Sequence, residues 1–191
     1  SSGIDSYVVE VSKSSAFTST ISADTIDGAV TSQLLSGLYN DTYYWRVRAV
    51  DAAGNAGTNS ATRGFLLDTG VPGQVTLSSP ADGNQTNQSV TVIWNAVTGD
   101  SSGIDSYVVE VSKSSGFTST ISADTVDGAV TSQLLSGLYN DTYYWRARAI
   151  DAAGNAGANS ATRGFLLDTT VAQVTASSPA DGAQQSSAVT V

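Results

Sequence analysis

The sequence has 191 residues, of which 40% are hydrophobic and 13% are charged, and its formal net charge is −9. It contains no cysteine, histidine or methionine, which excludes disulfides, thiolate nucleophiles, histidine bases and the usual zinc ligands. Eight basic residues against seventeen acidic ones provide no field that attracts phosphates, so no nucleic-acid partner is expected. The hydrophobic residues suffice for packed cores but form no run long enough to insert this segment into a membrane.

The chain contains an internal repeat with a period of 100 residues. Residues 1–69 recur at 101–169 with five substitutions, and the segment after the first copy begins to recur at Val171. Such a period is too long for a solenoid unit and matches one self-contained β-sandwich per repeat. The predicted domains are a partial repeat at 1–69 (strands C to G), a complete repeat at 70–170, and the start of a third repeat at 171–191 (strands A and B).

The complete repeat is predicted to form seven strands and almost no helix. Eighteen glycines and three prolines favour strands joined by turns. Apolar and polar residues alternate from Val90 to Trp94 and again from Tyr143 to Ala149, as is typical of half-buried strands. The predicted strands are 74–79, 90–94, 107–111, a short edge strand within 117–130, 132–135, the strand that begins at Tyr143, and 161–167.

Four stretches of the repeat carry a resemblance to a known family. They are Ile93-Trp94-Asn95, the strand Ser-Tyr-Val-Val-Glu-Val at 106–111, Gly137-Leu138 followed by Asp141-Thr142-Tyr143, and the run from Arg146 to Asn155. Over its whole length the repeat resembles a fibronectin type III domain of the kind found in bacterial or archaeal surface proteins. The resemblance implies an all-β fold, a seven-stranded fibronectin type III-like Greek-key β-sandwich, in tandem repeats of about 100 residues. It also implies a tyrosine corner, in which the hydroxyl of Tyr143 bonds to a nearby backbone group.

The inward phase of each predicted strand identifies the structural core. Trp94 and Trp145 lie in this phase, which favours burial over stacking on a sugar. Burying one tryptophan is worth on the order of 5 kcal/mol. The predicted core residues are Trp94, Tyr107, Val109, Leu138, Tyr143, Trp145 and Phe165.

Aspartates in or beside loops are the candidate metal ligands. Hard oxygen donors at such places can hold calcium and stiffen an array of modules. Turn formation explains the same aspartates, and no EF-hand loop occurs, so we expect no cofactor and keep calcium as the alternative. The candidates are Asp100, Asp105, Asp151 and Asp168.

Three arginines allow two interpretations. Arg146, Arg148 and Arg163 could form a cationic stripe that recognises an acidic surface. They could instead form a cross-strand ladder with Glu110 and Tyr144 on the outer face of the sheet, which we favour because each such pair is worth about 0.2–1 kcal/mol.

The sequence offers candidate modification sites but no candidate catalytic residues. The pattern N-x-[ST] makes Asn40, Asn84, Asn87 and Asn140 candidate glycosylation sites if the protein is exported. No aspartate or glutamate is predicted at an inward position where burial would raise its pKa. We therefore expect no enzymatic activity.

Three functions are compatible with these features. The favoured one is a structural repeat of an extracellular or cell-surface stalk, fibre or filament, whose partners are neighbouring copies of itself. The alternatives are an adhesive module that binds cell-surface glycans or proteins, and a spacer in a secreted carbohydrate-active enzyme. The join at 67–72 is short, so consecutive modules should stack nearly end to end.

The two incomplete repeats each expose strand edges and half a core, which folded proteins avoid. Two arrangements would cover the exposed strand edges and cores of both incomplete repeats. The sequence can be a window in a longer array, or the tail of one molecule can complete the first repeat of the next by strand complementation. We favour the window, because the tail has no counterpart of Trp94 and losing a buried tryptophan costs about 3–5 kcal/mol.

Overall fold

The computed structural model describes residues 3–179, 181–184 and 186–187. These residues form twelve strands in three sheets and contain no helix. It follows that nothing in this described part has the form of a membrane-crossing helix. The prediction of an all-β chain is confirmed.

The first unit, the described part of residues 1–69, is a single four-stranded antiparallel sheet. Its spatial order is β2-β1-β3-β4, so the two longest strands lie at its centre. No strand forms at 32–35 in this unit, although the identical residues form one in the second unit. The strands are β1 (Ile4–Ser12), β2 (Thr20–Asp27), β3 (Asp41–Asp51) and β4 (Arg63–Leu67).

The second unit, residues 70–169, contains two sheets. The larger sheet has the order β6-β12-β11-β8-β9, and the smaller one has the order β10-β7-β5. Every pairing is antiparallel except that between β6 and β12. The strands are β5 (Leu77–Ser79), β6 (Asn84–Thr86), β7 (Val90–Trp94), β8 (Ile104–Ser112), β9 (Thr120–Asp127), β10 (Ser132–Leu135), β11 (Asp141–Asp151) and β12 (Arg163–Leu167).

The core of the second unit lies between its two sheets. Alternate residues of β11 are buried, as the period of two in the sequence requires. Trp94 from the smaller sheet meets Tyr107 from the larger one edge to face, with ring centroids 5.5 Å apart. Of the seven predicted core residues only Leu138 is not fully buried; it is half-buried and packs against the others.

A tyrosine corner begins the longest strand of each unit. The hydroxyl of Tyr143 donates to the carbonyl oxygen of Tyr139 at 3.0 Å and accepts from its N–H at 3.1 Å. Tyr43 makes the same two bonds with Tyr39, at 2.9 and 3.1 Å. The corner therefore forms with a backbone partner four residues upstream of the tyrosine.

The strand boundaries differ from the predicted ones at several places. β5 and β12 are shorter than predicted, whereas the edge strand within 117–130 is a full eight-residue strand, β9. β6 was not predicted, because its residues Asn-Gln-Thr show no apolar alternation. It forms because the turn before it is fixed to β12 by hydrogen bonds from Gly83 N to Gly164 O (2.8 Å) and from Gly164 N to Asp82 Oδ1 (2.7 Å).

The third repeat has no strand in its described residues. Residues 171–179, where the first strand of that repeat is predicted, form no strand and pair with none. Residues 189–191, which belong to its predicted second strand, lie outside the described residues. In the second unit the corresponding strand β5 forms by pairing with β7.

Candidate functional site

Asp68, the residue after β4, joins the first unit to the second. Its Oδ1 accepts from Asn40 Nδ2 (3.3 Å) in the first unit and from Gly70 N (2.9 Å) in the linker, which we take as residues 67–72. Two loops of the second unit then bind it: Ser102 N donates to its Oδ2 (3.0 Å) and Asn155 Nδ2 donates to its main-chain oxygen (3.1 Å). Asp68 is only 7% exposed.

Two further aspartates lie against Asp68 at this junction. The carboxylates of Asp68, Asp100 and Asp151 each place one oxygen within 4.8 Å of the others. Asp100 begins the turn that presents Ser102, whose N–H and hydroxyl both donate to Asp100 Oδ1 at 3.1 Å. Asp151 ends β11 and is 1% exposed. We call these three residues the junction cluster.

Asn155 bonds both to the side chain of Asp151 and to the main chain of Asp68 in the linker. Its main-chain N–H donates to Asp151 Oδ1 (2.7 Å), and its side-chain Nδ2 donates to Asp151 Oδ2 (2.9 Å) as well as to the carbonyl of Asp68. The turn of residues 152–154 brings this amide back over the end of β11, as an aspartate-led turn does. The loop is therefore fixed before it contacts the preceding unit.

Hydrogen bonds, and not basic residues, stabilise the charge of Asp151. Burial by itself raises the pKa of Asp151, but hydrogen bonds from Asn155, Ala153 and Gly154 together hold the pKa below its usual range. The ion pairs formed by the described residues lie elsewhere. Glu10 and Glu110 pair with arginines on the outer face of each sheet. Lys113 pairs with Asp141, and the same pair occurs one repeat earlier. The carboxylates of the junction cluster are thus close together, and none of the described residues forms an ion pair with them.

The structure brings together two of the four candidate calcium ligands. Asp100 and Asp151 lie in the junction cluster, whereas Asp105 is an exposed residue of β8 and Asp168 is exposed at the far end of the second unit. Three carboxylates at this spacing have the donor type that Ca²⁺ prefers. The expectation of no cofactor, with calcium as the alternative, stays untested.

Sequence reasoning missed Asp68 and the burial of two aspartates. The expectation that all aspartates are outside the inward positions was wrong for Asp151, which continues the inward alternation of β11 and is 1% exposed. It was also wrong for Asp68, which is 7% exposed where the two repeats meet. The repeat contained a signal that could have identified Asp68. Asp168 was chosen as a candidate ligand, and Asp68 occupies the same position one period earlier. The pattern within one repeat does not show which surface the next repeat covers.

The arginine ladder forms in part. Arg146 Nε binds Glu110 Oε2 at 2.7 Å, and its guanidinium lies 4.0 Å from the centre of the Phe117 ring. In the first unit the counterparts of Arg146 and Arg148 both bind Glu10. Arg163 was wrongly placed in this ladder: it shares the face of its pairing partner Trp145, and its Nη1 donates to the carbonyls of Ser78 (2.7 Å) and Pro80 (3.0 Å).

The candidate glycosylation sites have different surroundings. Asn40 and Asn140 are exposed, but their amides are used, because each bonds to the aspartate after the last strand and to the threonine that follows. A glycan on Nδ2 would interfere with this contact. Asn84 lies in β6 and Asn87 in the bend after it, and both are exposed. Glycosylation at all four asparagines stays a prediction.

Comparison with solved structures identifies fibronectin type III domains. The FN1–FN3 domains of chicken CNTN1 match 86% of this chain at 19% identity with a TM-score of 0.57, and this chain spans 56% of that one. The fibronectin(III)-like modules of Clostridium thermocellum CbhA match 93% of this chain and 86% of theirs (16% identity, TM-score 0.47). The sixth fibronectin type III domain of human fibronectin type III domain containing protein 3 matches 58% of this chain and 98% of its own (18%, 0.42).

This chain has a fibronectin type III-like fold. No family model and no curated protein matches the sequence. The identities to the solved structures are below 20%, so the likeness concerns the fold, and function has to be argued from the junction and the surfaces of this chain.

Proposed function

We propose that this chain is a non-catalytic structural segment of an extracellular stalk, fibre or filament, in which fibronectin type III-like modules stack end to end. The observation that carries the proposal is Asp68, whose carboxylate and carbonyl are bound by two loops of the following unit. Hydrogen bonds that tie so short a linker to the loops of the next unit reduce the number of conformations in which the modules can bend relative to each other. The function of such a segment is to give the stalk, fibre or filament its length and stiffness.

The packing of the linker supports the same proposal. A Cβ on Gly157 would lie 2.7 Å from the carbonyl oxygen of Pro72, so the glycine allows the linker to approach the 152–160 loop closely. Gly157 is buried, whereas its counterpart Gly57 is exposed. The excess of acidic residues over the whole chain would keep such a stack soluble.

A distance measurement across the junction tests the proposal. Because the chain has no cysteine, spin labels can be placed with Thr25→Cys and Thr125→Cys, at equivalent exposed positions of β2 and β9. Pulsed electron paramagnetic resonance should give one narrow distance distribution. The further change Asp68→Ala removes the bond to Ser102 and should broaden it.

The repeat supplies a matched control. Asp168→Ala removes the same local bonds, to Asn140 and Thr170, at a position that no following unit contacts among the described residues. It should leave the distribution between the labels narrow. A broad distribution in the unmodified chain, or equal broadening by both changes, would contradict a stiff junction.

An adhesive or glycan-binding role is the second candidate, and one observation favours it. Tyr39 and Tyr139 are each 82% exposed, and a flat exposed ring is suited to stack on a sugar. A glycan array would distinguish the two functions, because sugar binding lost on changing both tyrosines to alanine would support adhesion. Binding to no glycan on the array would remove this candidate's support.

A further inference from the structure

The second unit has an open cleft where its two sheets end side by side. β9 is the last strand of the larger sheet and β10 is the last strand of the smaller one, so each has one free edge. The cleft between them has a volume of about 230 Å³. It is lined by Val111, residues 121–122, Asp124 and residues 133–138.

This cleft belongs to the interior of a complete repeat. On the corresponding surface of the first unit, Ser36 and Gly37 stay exposed although another unit follows them. Ile21 is 48% exposed there, and its counterpart Ile121 is 49% exposed. The contacts between the two units are made by Asp68 and the linker instead. A neighbouring repeat that packs as these two units do therefore leaves this side of the sandwich open.

One charged side chain, that of Asp124, lines the cleft. Asp124 pairs with Val109 in the sheet, and paired residues of neighbouring strands have their side chains on the same face. Because Val109 is 1% exposed, Asp124 belongs to the face of β9 that is turned towards the core. It is nevertheless exposed at this edge, and the described residues form no ion pair with it.

The side-chain amide of Gln133 provides a second acceptor in the cleft. Its Nε2 donates to Asp124 Oδ2 at 2.8 Å, which holds the amide across the gap between β10 and β9. Its Oε1 is buried and has no hydrogen-bond partner among the described residues. An unpaired buried acceptor is costly, so a donor that reaches this oxygen is favoured. The carboxylate beside it favours a donor that carries a positive charge.

The size and the apolar lining of the cleft determine which group fits. Ile121 and Leu134 are exposed, whereas Val111 and Leu135 are buried. The volume is smaller than the roughly 300–1,000 Å³ of pockets that hold drug-sized ligands, so the cleft suits one side chain and not a whole small molecule. Lysine and arginine side chains combine an apolar stem with a charged end and match this lining.

The free edge of β9 can bind the backbone that carries such a side chain. The strand has eight residues, Thr120–Asp127, and contains no proline or lysine that would oppose pairing at an edge. The inward charge of Asp124 opposes an apolar strand, which would bury the carboxylate without a partner. A basic residue opposite Asp124 removes this penalty. The edge therefore selects for a strand with a basic residue.

We propose that the cleft binds an extended basic segment of a partner protein. The segment adds to the free edge of β9 as an extra strand, and one lysine or arginine side chain enters the cleft, where it donates to Asp124 and to Gln133 Oε1. This goes beyond the stalk or fibre proposed above, because it gives the module a partner on its flank.

The chemistry of the cleft does not favour a second copy of this chain as the partner. Each copy carries a net charge of −9, so two copies repel each other. Its eight basic residues lie in or directly after strands of the folded sheets, and none lies in a free extended segment. They are Lys13, Arg46, Arg48, Arg63, Lys113, Arg146, Arg148 and Arg163.

The binding of two short peptides tests the proposal. Both alternate valine with threonine over eight residues and have blocked ends, and one central valine is replaced by lysine or by norleucine, which has the apolar stem without the charge. In fluorescence anisotropy with the 191-residue chain, the lysine peptide should bind about tenfold more tightly, because it adds a charged hydrogen bond. Nuclear magnetic resonance shifts should change in β9 and β10, and added salt should reduce the preference for lysine.

Two substitutions on β9 separate the position of a charge from its presence. Asp124→Asn keeps an acceptor for Gln133 Nε2 but removes the charge from the cleft, so most of the preference for lysine should be lost. Asp127→Asn is the matched control: it removes the same charge from a residue that does not line the cleft, and the preference should remain. Both residues are exposed and asparagine keeps their shape, so a loss of folding would not imitate the expected result.

Four results would overturn the proposal: no binding of the lysine peptide, equal binding of both peptides, a preference that survives Asp124→Asn, or shifts confined to residues outside β9 and β10. A mass that rises with concentration in light scattering, with the same shifts in the absence of peptide, would assign the edge to a second copy and would also overturn it. None of these results depends on the stiffness between the two units. The spin-label distances described above test that stiffness separately.

Discussion

Tyr143 shows how one side chain fixes a corner of the fold. Its ring is buried and packs against Phe165 with centroids 5.6 Å apart, while its hydroxyl reaches the backbone of Tyr139. The ring follows the period of the strand, and the hydroxyl ties the preceding loop to it. Packing and hydrogen bonding therefore depend on the same residue.

We predict that Tyr143→Phe lowers the free energy of unfolding of the second unit by about 0.5–1.5 kcal/mol, since it removes a hydrogen bond and keeps the ring. Tyr139 is exposed, so water can replace the lost partner and the cost should lie at the low end. Urea unfolding measures it. Tyr144→Phe, which removes a hydroxyl on the half-buried outer face of the same strand, should cost less. Equal effects would mean that the corner contributes nothing.

Acid should destabilise the protein through its carboxylates. Hydrogen bonds from Arg46 and Lys13 hold the pKa values of Glu10 and Asp41 below their usual range, and Thr170 does the same for the pKa of Asp168. A carboxyl group whose pKa is lower in the folded state than in the unfolded state stabilises the folded protein. This contribution is complete at pH values above the unfolded-state pKa, about 4, and is lost as the pH falls through the folded-state pKa. The pKa of Asp151 is also lowered.

The midpoint of urea unfolding should therefore be nearly constant from neutral pH to about 4 and fall below it. A midpoint that instead rises on acidification would contradict this sign. It would mean that repulsion within the junction cluster outweighs the hydrogen bonds and ion pairs that favour the charged carboxylates.

At the level of elements, β10 depends on its neighbour and not on its own sequence. Residues 32–35 and 132–135 are identical, yet only the second set forms a strand, because only it lies beside β7. A four-residue strand gains little stability without a partner.

Hydrogen exchange can test this difference with an internal control. At concentrations where the chain is monomeric, amide protons of 32–35 should exchange faster than those of 132–135. Amides of β1 and β8, which are paired on both sides in both units, should differ much less. Equal protection at the two short segments would contradict the dependence on β7.

The approach of the linker to the second unit gives a further matched pair. Gly157→Ala places a Cβ 2.7 Å from the carbonyl oxygen of Pro72, a backbone atom that moves only if the linker moves. We expect a loss of about 1–3 kcal/mol in the free energy of unfolding, as for other overpacked sites. At Gly57 the nearest atom is 3.5 Å away, so Gly57→Ala should change stability little. Equal losses in urea unfolding would contradict the close packing of the linker.

The sequence predicts the strands in which apolar and polar residues alternate. It does not predict features that form through contacts with another strand or with the next repeat. β7, β8 and β11 follow from apolar alternation, and the repeat of 100 residues indicates one sandwich per copy. β6 has no apolar pattern and follows from bonds to β12. Asp68 was missed because its partners lie in the next repeat, so its role depends on how two copies meet.

At the scale of the whole molecule, the junction connects consecutive units, and Asp68 and Asn155 hold them together. A stiff junction is the central claim, because the proposed stalk or fibre requires a stiff connection between its modules.

Nuclear magnetic resonance relaxation of backbone ¹⁵N, recorded where the chain is monomeric, tests this claim most directly. If the junction is stiff, amides in the strands of both units should fit one common rotational diffusion tensor, and Asp68→Ala should separate the two units into different correlation times. Independent tumbling of the two units in the unmodified chain would contradict the account.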